Sequence, residues 1–222
     1  MGKRLVAVIG AFTVLAALIA VYIAVWATQM PGAVAATVSG SGAAKRVSLT
    51  LETVAAVGPA ESPEHPDWVS YLVRSHGRWI HSTIFRLPAH SLVHVTIYQF
   101  DGYSGLRNPF LAEVQGTTGG VMDVNGKPTR SIDPDDASHT FVVPQLGLFI
   151  PLLGVDPNAK NQCGYSPCTL AYAHNTITFT FRTPGKGRYR WQCFVPCAAG
   201  TFLGFGGPMQ TLGYMDGFLD VD

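Results

Sequence analysis

From Lys45 onward, apolar and polar residues alternate in short runs, and no 3.6-residue stripe passes through any of them. Val47 to Val54, reading VSLTLETV, alternates over its whole length and predicts a strand with one buried face. Trp68 to Arg74 and Trp79 to Phe85 predict two strands joined through His76-Gly77. Ser91 to Phe100, which follows Pro88, is β-branched and aromatic and gives the strongest strand signal. Further strands are predicted at His139, over Asn175 to Thr183, over Tyr189 to Cys193, and over Gly217 to Val221. Roughly eight strands with long connections predict an all-β domain, a Greek-key sandwich or barrel. The stretches at about 101–136 and 151–175 are rich in turn residues and read as insertions, the first with a hairpin around Asn125-Gly126.

The N-terminus follows another pattern. Met1-Gly2-Lys3-Arg4 precedes an apolar run from Leu5 to about Trp26, broken only by Gly10, Thr13 and Tyr22. At 1.5 Å per residue such a run crosses a ~30 Å hydrocarbon layer. Lys3 and Arg4 stand before the run, and the next basic residues are Lys45 and Arg46, so the positive end predicts a cytoplasmic N-terminus and an exported body. Tyr22 and Trp26 fall near the outer end, as interface anchors do. The organisation read from this is a transmembrane anchor over 1–30, a flexible Gly/Ala/Ser-rich linker over 31–44, and a domain over 45–222. A cleaved signal peptide competes with the anchor, because Ala33-Val34-Ala35 offers a small-x-small site, although the apolar run exceeds the usual ~7–15 residues.

Composition narrows the function classes. Hydrophobic residues make up 47% and charged residues 13%, too apolar a balance for a disordered chain. A net charge of +1 provides no field to hold nucleic acid. P-loop, GxSxG and HExxH motifs are missing from the sequence, and no nucleophile–base pair stands at a readable spacing, so a hydrolase is disfavoured.

The chemistry-bearing residues are sulfurs. Cys193 and Cys197 close an aromatic strand and open a Gly-rich loop, and Met209 and Met215 follow on its far side. Soft sulfur donors joined by an imidazole suit copper, and His139 is the nearest candidate ring. Two exported thiols four residues apart also suit a disulfide, and His139 by itself reads as a satisfied core histidine. Met209 and Met215 are alternatively core filling. His90 and His94 share one face of a strand and are either a surface pair or a replacement imidazole. Cys163 and Cys168, in a Gly/Pro loop, predict a local disulfide, and Asp133, Asp135 and Asp136 read as solvated turn residues. Tyr189 and Trp191 alternate on the strand entering the thiols as core positions, and Phe202 and Phe205 give the loop an apolar character suited to docking or to shielding a metal.

Pro88 to Phe100, followed by Ala137-Ser-His139-Thr-Phe-Val-Val-Pro-Gln-Leu-Gly147, Pro184-Gly185, Arg188-Tyr189 and Cys193-Phe-Val-Pro-Cys197, resembles the periplasmic domain of cytochrome c oxidase subunit II. It is also similar to the related domain of nitrous oxide reductase. The resemblance implies a cupredoxin fold and, in intact members, a two-copper centre passing electrons to an oxidase core. It implies that His139 is the first histidine ligand and that Cys193 and Cys197 are bridging thiolates. Where the family has its second histidine and its methionine, this sequence has Thr201 and Gly204, and the enlarged loop moves the nearest methionine to Met209. The ligand set expected is therefore His139, Cys193, Cys197 and Met209, with Met215 and His94 as alternative donors and copper as cofactor. Two functions stay open. One is a membrane-anchored, extracytoplasmic copper-binding electron-transfer module serving a membrane redox complex or a soluble electron donor. The other is a metal-free structural or assembly subunit with a Cys193–Cys197 disulfide.

Overall fold

A computed structural model describes residues 2–22, 31–42, 45–197 and 207–222. The chain divides into two units, Met1–Met30 and Pro31–Asp222. The first contains helix α1, Gly2–Tyr22. Its 21 residues extend about 31 Å, and Arg4–Tyr22 is long and apolar enough to cross a membrane, a test that a signal sequence also passes. The anchoring role read for Trp26 lies outside the described residues.

The second unit is a β-sandwich. Its strands are β1 (Val34–Ala35), β2 (Thr37–Ser39), β3 (Arg46–Val54), β4 (Ser70–Ser75), β5 (Arg78–Ile80), β6 (Ile84–Leu87) and β7 (Leu92–Gln99). They continue with β8 (Met122–Val124), β9 (Lys127–Thr129), β10 (Ala137–Val143), β11 (Leu148–Leu153), β12 (Asn175–Arg182), β13 (Gly187–Gln192) and β14 (Asp216–Val221). One sheet runs β1-β6-β14-β13-β10-β11, and the other runs β5-β4-β3-β7-β12-β8-β9 with β2 added against β3. Alternation decides which side chains face inward. Val93, Val95 and Ile97 of β7 and Leu49 and Leu51 of β3 are buried, and they meet Phe85, Phe141, Trp191 and Leu219 from the other sheet. Each such side chain contributes roughly 1.5–3 kcal/mol on burial.

Two turns form as their dipeptides dictate. Asn125 and Gly126 both take positive φ (53° and 82°) between β8 and β9, and His76 and Gly77 do the same between β4 and β5. Two expectations change. The stretch read as a flexible linker contains β1, which adds parallel to β6 through Val34↔Phe85, and β2, which pairs with β3. Its small residues masked a short β-competent segment, Val34-Ala-Ala-Thr-Val38, whose backbone satisfies open sheet edges. The Trp79 to Phe85 run is two strands in different sheets, because the chain crosses between the sheets at His81 to Thr83, where Ser82 Oγ donates to the Gly32 carbonyl at 2.6 Å.

The insertion after β11 folds onto the outer face of the second sheet. Cys163 and Cys168 are joined by a disulfide there and pack with Val54, Leu72, Phe100 and Tyr214 in a second apolar cluster. In the first sheet, β14 is wedged between β6 and β13. The fit is tight at Gly217, where a Cβ would stand 1.9 Å from the Thr83 carbonyl oxygen. That carbonyl also accepts the Trp191 indole N–H at 3.0 Å, fixing the strand that leads to Cys193.

Candidate metal centre

Two strands of the first sheet bring the donors together. β10 carries His139, and its pairing with β11 shifts register between Ala137 and His139. A bulge of this kind re-aims the side chains beside it. β13 lies against β10 through Val142↔Gln192 and ends one residue before Cys193, whose N–H donates to the Met215 carbonyl at 2.9 Å. The chain then turns so that Cys197 folds back: its N–H donates to the Val195 carbonyl at 2.7 Å.

The Sγ atoms of Cys193 and Cys197 are 3.1 Å apart, and His139 Nδ1 is 3.9 Å from the Cys193 sulfur. One donor atom from each of the three residues falls within 4.8 Å of the others. All three residues are buried, Cys193 completely. The remaining ring nitrogen, His139 Nε2, stands 2.9 Å from Asp101 Oδ2, so the carboxylate holds the ring with Nδ1 turned toward the sulfurs. The Thr140 amide donates to the Cys193 sulfur at 3.4 Å, and the Thr140 hydroxyl oxygen accepts from the Phe194 amide at 2.7 Å.

The electrostatics follow from this packing. Burial alone would raise the Cys193 thiol, but the hydrogen bond from Cys197, the His139 ring and the Thr140 amide together hold it well below its ordinary value. Cys197 is pushed up, first by its hydrogen bond to Cys193, then by burial and the Cys193 charge. Burial opposes a charge on His139, yet its bonds to Asp101 and Cys193 raise it to about 9. Asp101 is held low by His139 against its own burial. Asp101, His139, Cys193 and Cys197 thus form one connected chain of polar contacts, in which Cys197 donates to the Cys193 sulfur. Tyr71, buried beside it, donates its hydroxyl to the Thr140 carbonyl at 3.0 Å, and burial and then the two sulfurs push its ionisation well above the ordinary range. A cleft of about 330 Å³ reaches the site past Asp67, Asp101, Ser138 and Cys197.

His139, Cys193 and Cys197 therefore converge as expected. Met209 sits partly buried on the short turn Pro208–Gln210, packed against the main core, and its carbonyl accepts from Gln192 Nε2 at 2.7 Å. Met215 is a fully buried core residue tied to Cys193 through its backbone. His94 is outside the convergent set: it lies on β7 of the second sheet, exposed, with Nδ1 3.2 Å from the Thr180 hydroxyl. Alternation explains this placement, since Val93 and Val95 take the core face and leave His94 on the other. Asp135 is 4.0 Å from Arg107 in an exposed turn pair. Thr201, Gly204, Phe202 and Phe205 fall outside the described residues. Asp101 and Thr140 were not singled out by sequence reasoning. Asp101 ends the β7 signal as an ordinary turn residue, and only the fold brings it to His139.

No family model matches the chain, and no curated protein matches it. Among solved structures, rusticyanin from Thiobacillus ferrooxidans aligns at 18% identity over 84% of this chain and 87% of that one, with a TM-score of 0.32. Reduced rusticyanin aligns at 20% identity over 86% and 84%, with a TM-score of 0.31. A Cu-containing nitrite reductase from Thermus scotoductus aligns at 12% identity over 79% of this chain and 30% of that one, with a TM-score of 0.32. The domain that aligns with them is a two-sheet, all-β sandwich.

Proposed function

We propose that the β domain is a copper-binding electron-transfer module whose ion is held by the Cys193 and Cys197 sulfurs and His139 Nδ1, with Met209 as fourth donor. The observation that carries this reading is the convergence of three buried soft and borderline donors, from two strands far apart in sequence, within 4.8 Å. The two sulfurs, 3.1 Å apart, and His139 Nδ1 would hold the ion between them as soft and borderline donors. Copper supplies one-electron chemistry when bound. The chain's own part is to fix the His139 ring through Asp101, to draw charge from the Cys193 sulfur through the Thr140 amide, and to keep water from Cys193.

The finer likeness to cytochrome c oxidase subunit II rests on the run from His139 to Gly147 and on the Cys-x-x-x-Cys spacing. Thr201 and Gly204 stand where that family places two ligands, which favours one ion over two. Anchoring by α1, a location outside the cytoplasm, and service to a membrane redox complex or soluble donor complete the proposal. Elemental analysis and thiol titration of the isolated chain test it. One copper with two titratable thiols after metal removal is the expected result; zinc in place of copper, or no metal uptake, overturns it.

The sulfur separation supports a second reading. At 3.1 Å, Cys193 and Cys197 need about 1 Å of approach to form a disulfide. A metal-free structural subunit follows if the isolated chain yields no free thiol and takes up no copper after reduction.

A further inference from the structure

The insertion stapled by Cys163–Cys168 closes over a carboxyl group that the metal centre does not use. Glu52 lies in β3 between Leu72 of β4 and Tyr98 of β7. The core-facing positions of β3 are Val47, Leu49 and Leu51, so Glu52 projects from the opposite face, beneath the insertion. It is 0% exposed, and neither carboxyl oxygen has a hydrogen-bond partner among the described residues. The Cys168 amide approaches without closing a bond. A buried carboxyl in this state is costly unless something outside the chain completes it.

Glu52 lines a cleft of about 260 Å³ whose walls include Arg74, Trp79, Phe100, Pro167 and Leu170. The nearest cation is not spent on it: the Arg74 guanidinium lies over the Trp79 ring, 5.4 Å from its centre. Among the described residues, no group of three metal-type donors includes Glu52, which disfavours a metal ion. The cleft thus offers two unmet acceptors at its base, aromatic walls, and an apolar lip.

We propose that this cleft binds a primary ammonium group carried on a small apolar or aromatic body, with the N–H donors meeting Glu52 and the body lying between Trp79, Phe100 and Leu170. An ammonium supplies three donors and a positive charge, and aromatic faces attract such a charge in a desolvated site. Water fills acceptors but does not neutralise a carboxylate. The charged and titratable groups facing Glu52 are Glu61 from the loop between β3 and β4, Arg74 from β4 and Tyr98 from β7. Burial and then Glu61 raise Glu52 to about 8, with Arg74 pulling back, so a cation bound at the carboxyl favours release of its proton near pH 7. This site is independent of the copper reading.

The test is isothermal calorimetry of the full-length chain in detergent micelles at pH 7, in two buffers of different ionisation enthalpy. The probes are benzylammonium and its neutral isostere benzyl alcohol. Saturable benzylammonium binding with release of close to one proton, and at least tenfold weaker binding of the alcohol, is expected. Glu52→Gln loses at least tenfold in benzylammonium affinity and abolishes the proton release. No saturable binding, equal affinity for the alcohol, or unchanged binding by Glu52→Gln overturns the proposal and leaves the cleft to water.

Discussion

His139 Nε2 lies 2.9 Å from Asp101 Oδ2, and this contact leaves Nδ1 as the ring atom facing the Cys193 sulfur at 3.9 Å. Asp101→Asn keeps an acceptor there but removes the charge that stabilises the ring's donor nitrogen. Copper affinity should fall by about 10- to 100-fold, the usual cost of losing a carboxylate behind a histidine ligand. Competition with a Cu(I) chelator measures it. An unchanged affinity with intact circular dichroism rejects Asp101 as the positioning residue.

Cys193→Ser should abolish stoichiometric copper uptake, because a hydroxyl is a poor partner for a soft ion and the other donors do not close a site alone. Elemental analysis after reconstitution checks it. Retention of one copper by the variant means that the ligand assignment is mistaken.

Double replacement of Cys163 and Cys168 by Ser should cost about 2 kcal/mol, the loop-closure value for so short a ring. The separation of only 5 residues keeps that figure small. Urea unfolding gives the measurement, and a loss near zero shows that the surrounding apolar cluster holds the insertion without the bond.

Glu52 makes stability depend on pH in a definite direction. Its folded value of about 8 lies above the ordinary 4.5, so between those limits the folded chain binds more protons than the unfolded chain. The Glu52 contribution is full below pH 4.5 and is lost as pH rises through the window, at up to about 1.4 kcal/mol per unit. Glu52→Gln should flatten the curve and exceed the parent in stability at pH 9. Parallel pH profiles of the parent and the variant are evidence against the burial of this carboxyl.

Gly217→Ala should destabilise the domain by roughly 3 kcal/mol or more, since the added methyl meets the Thr83 carbonyl and overpacking displaces backbone. Chemical denaturation measures the loss. A fluorescence change at Trp191, whose indole shares that carbonyl, should accompany it.

Most of the sandwich was legible because its strands announce a buried face: Val47 to Val54 and Asn175 to Arg182 alternate, and Asn125-Gly126 dictates its own turn. The linker was misread because Val34 to Ser39 has too few large residues to show a period, while its pairing depends on edges supplied by Phe85 and Val47. At the site, His139, Cys193 and Cys197 could be picked out by donor type and order. Asp101 could not, since a lone acidic residue after a strand has many ordinary uses and its partner is 38 residues away. Glu52 was hidden in another way. It occupies a polar position of an alternating strand, which normally faces water, and only the folded insertion reveals that this one does not.

Placing β14 between β6 and β13 has a consequence for biogenesis. A chain halted before residue 216 has a strand leading to Cys193 that lacks its neighbour and a first sheet that is split. Strand β13, which leads to Cys193, gains its second neighbour only once Asp216–Val221 has been made, so the alignment of His139, Cys193 and Cys197 waits on that strand.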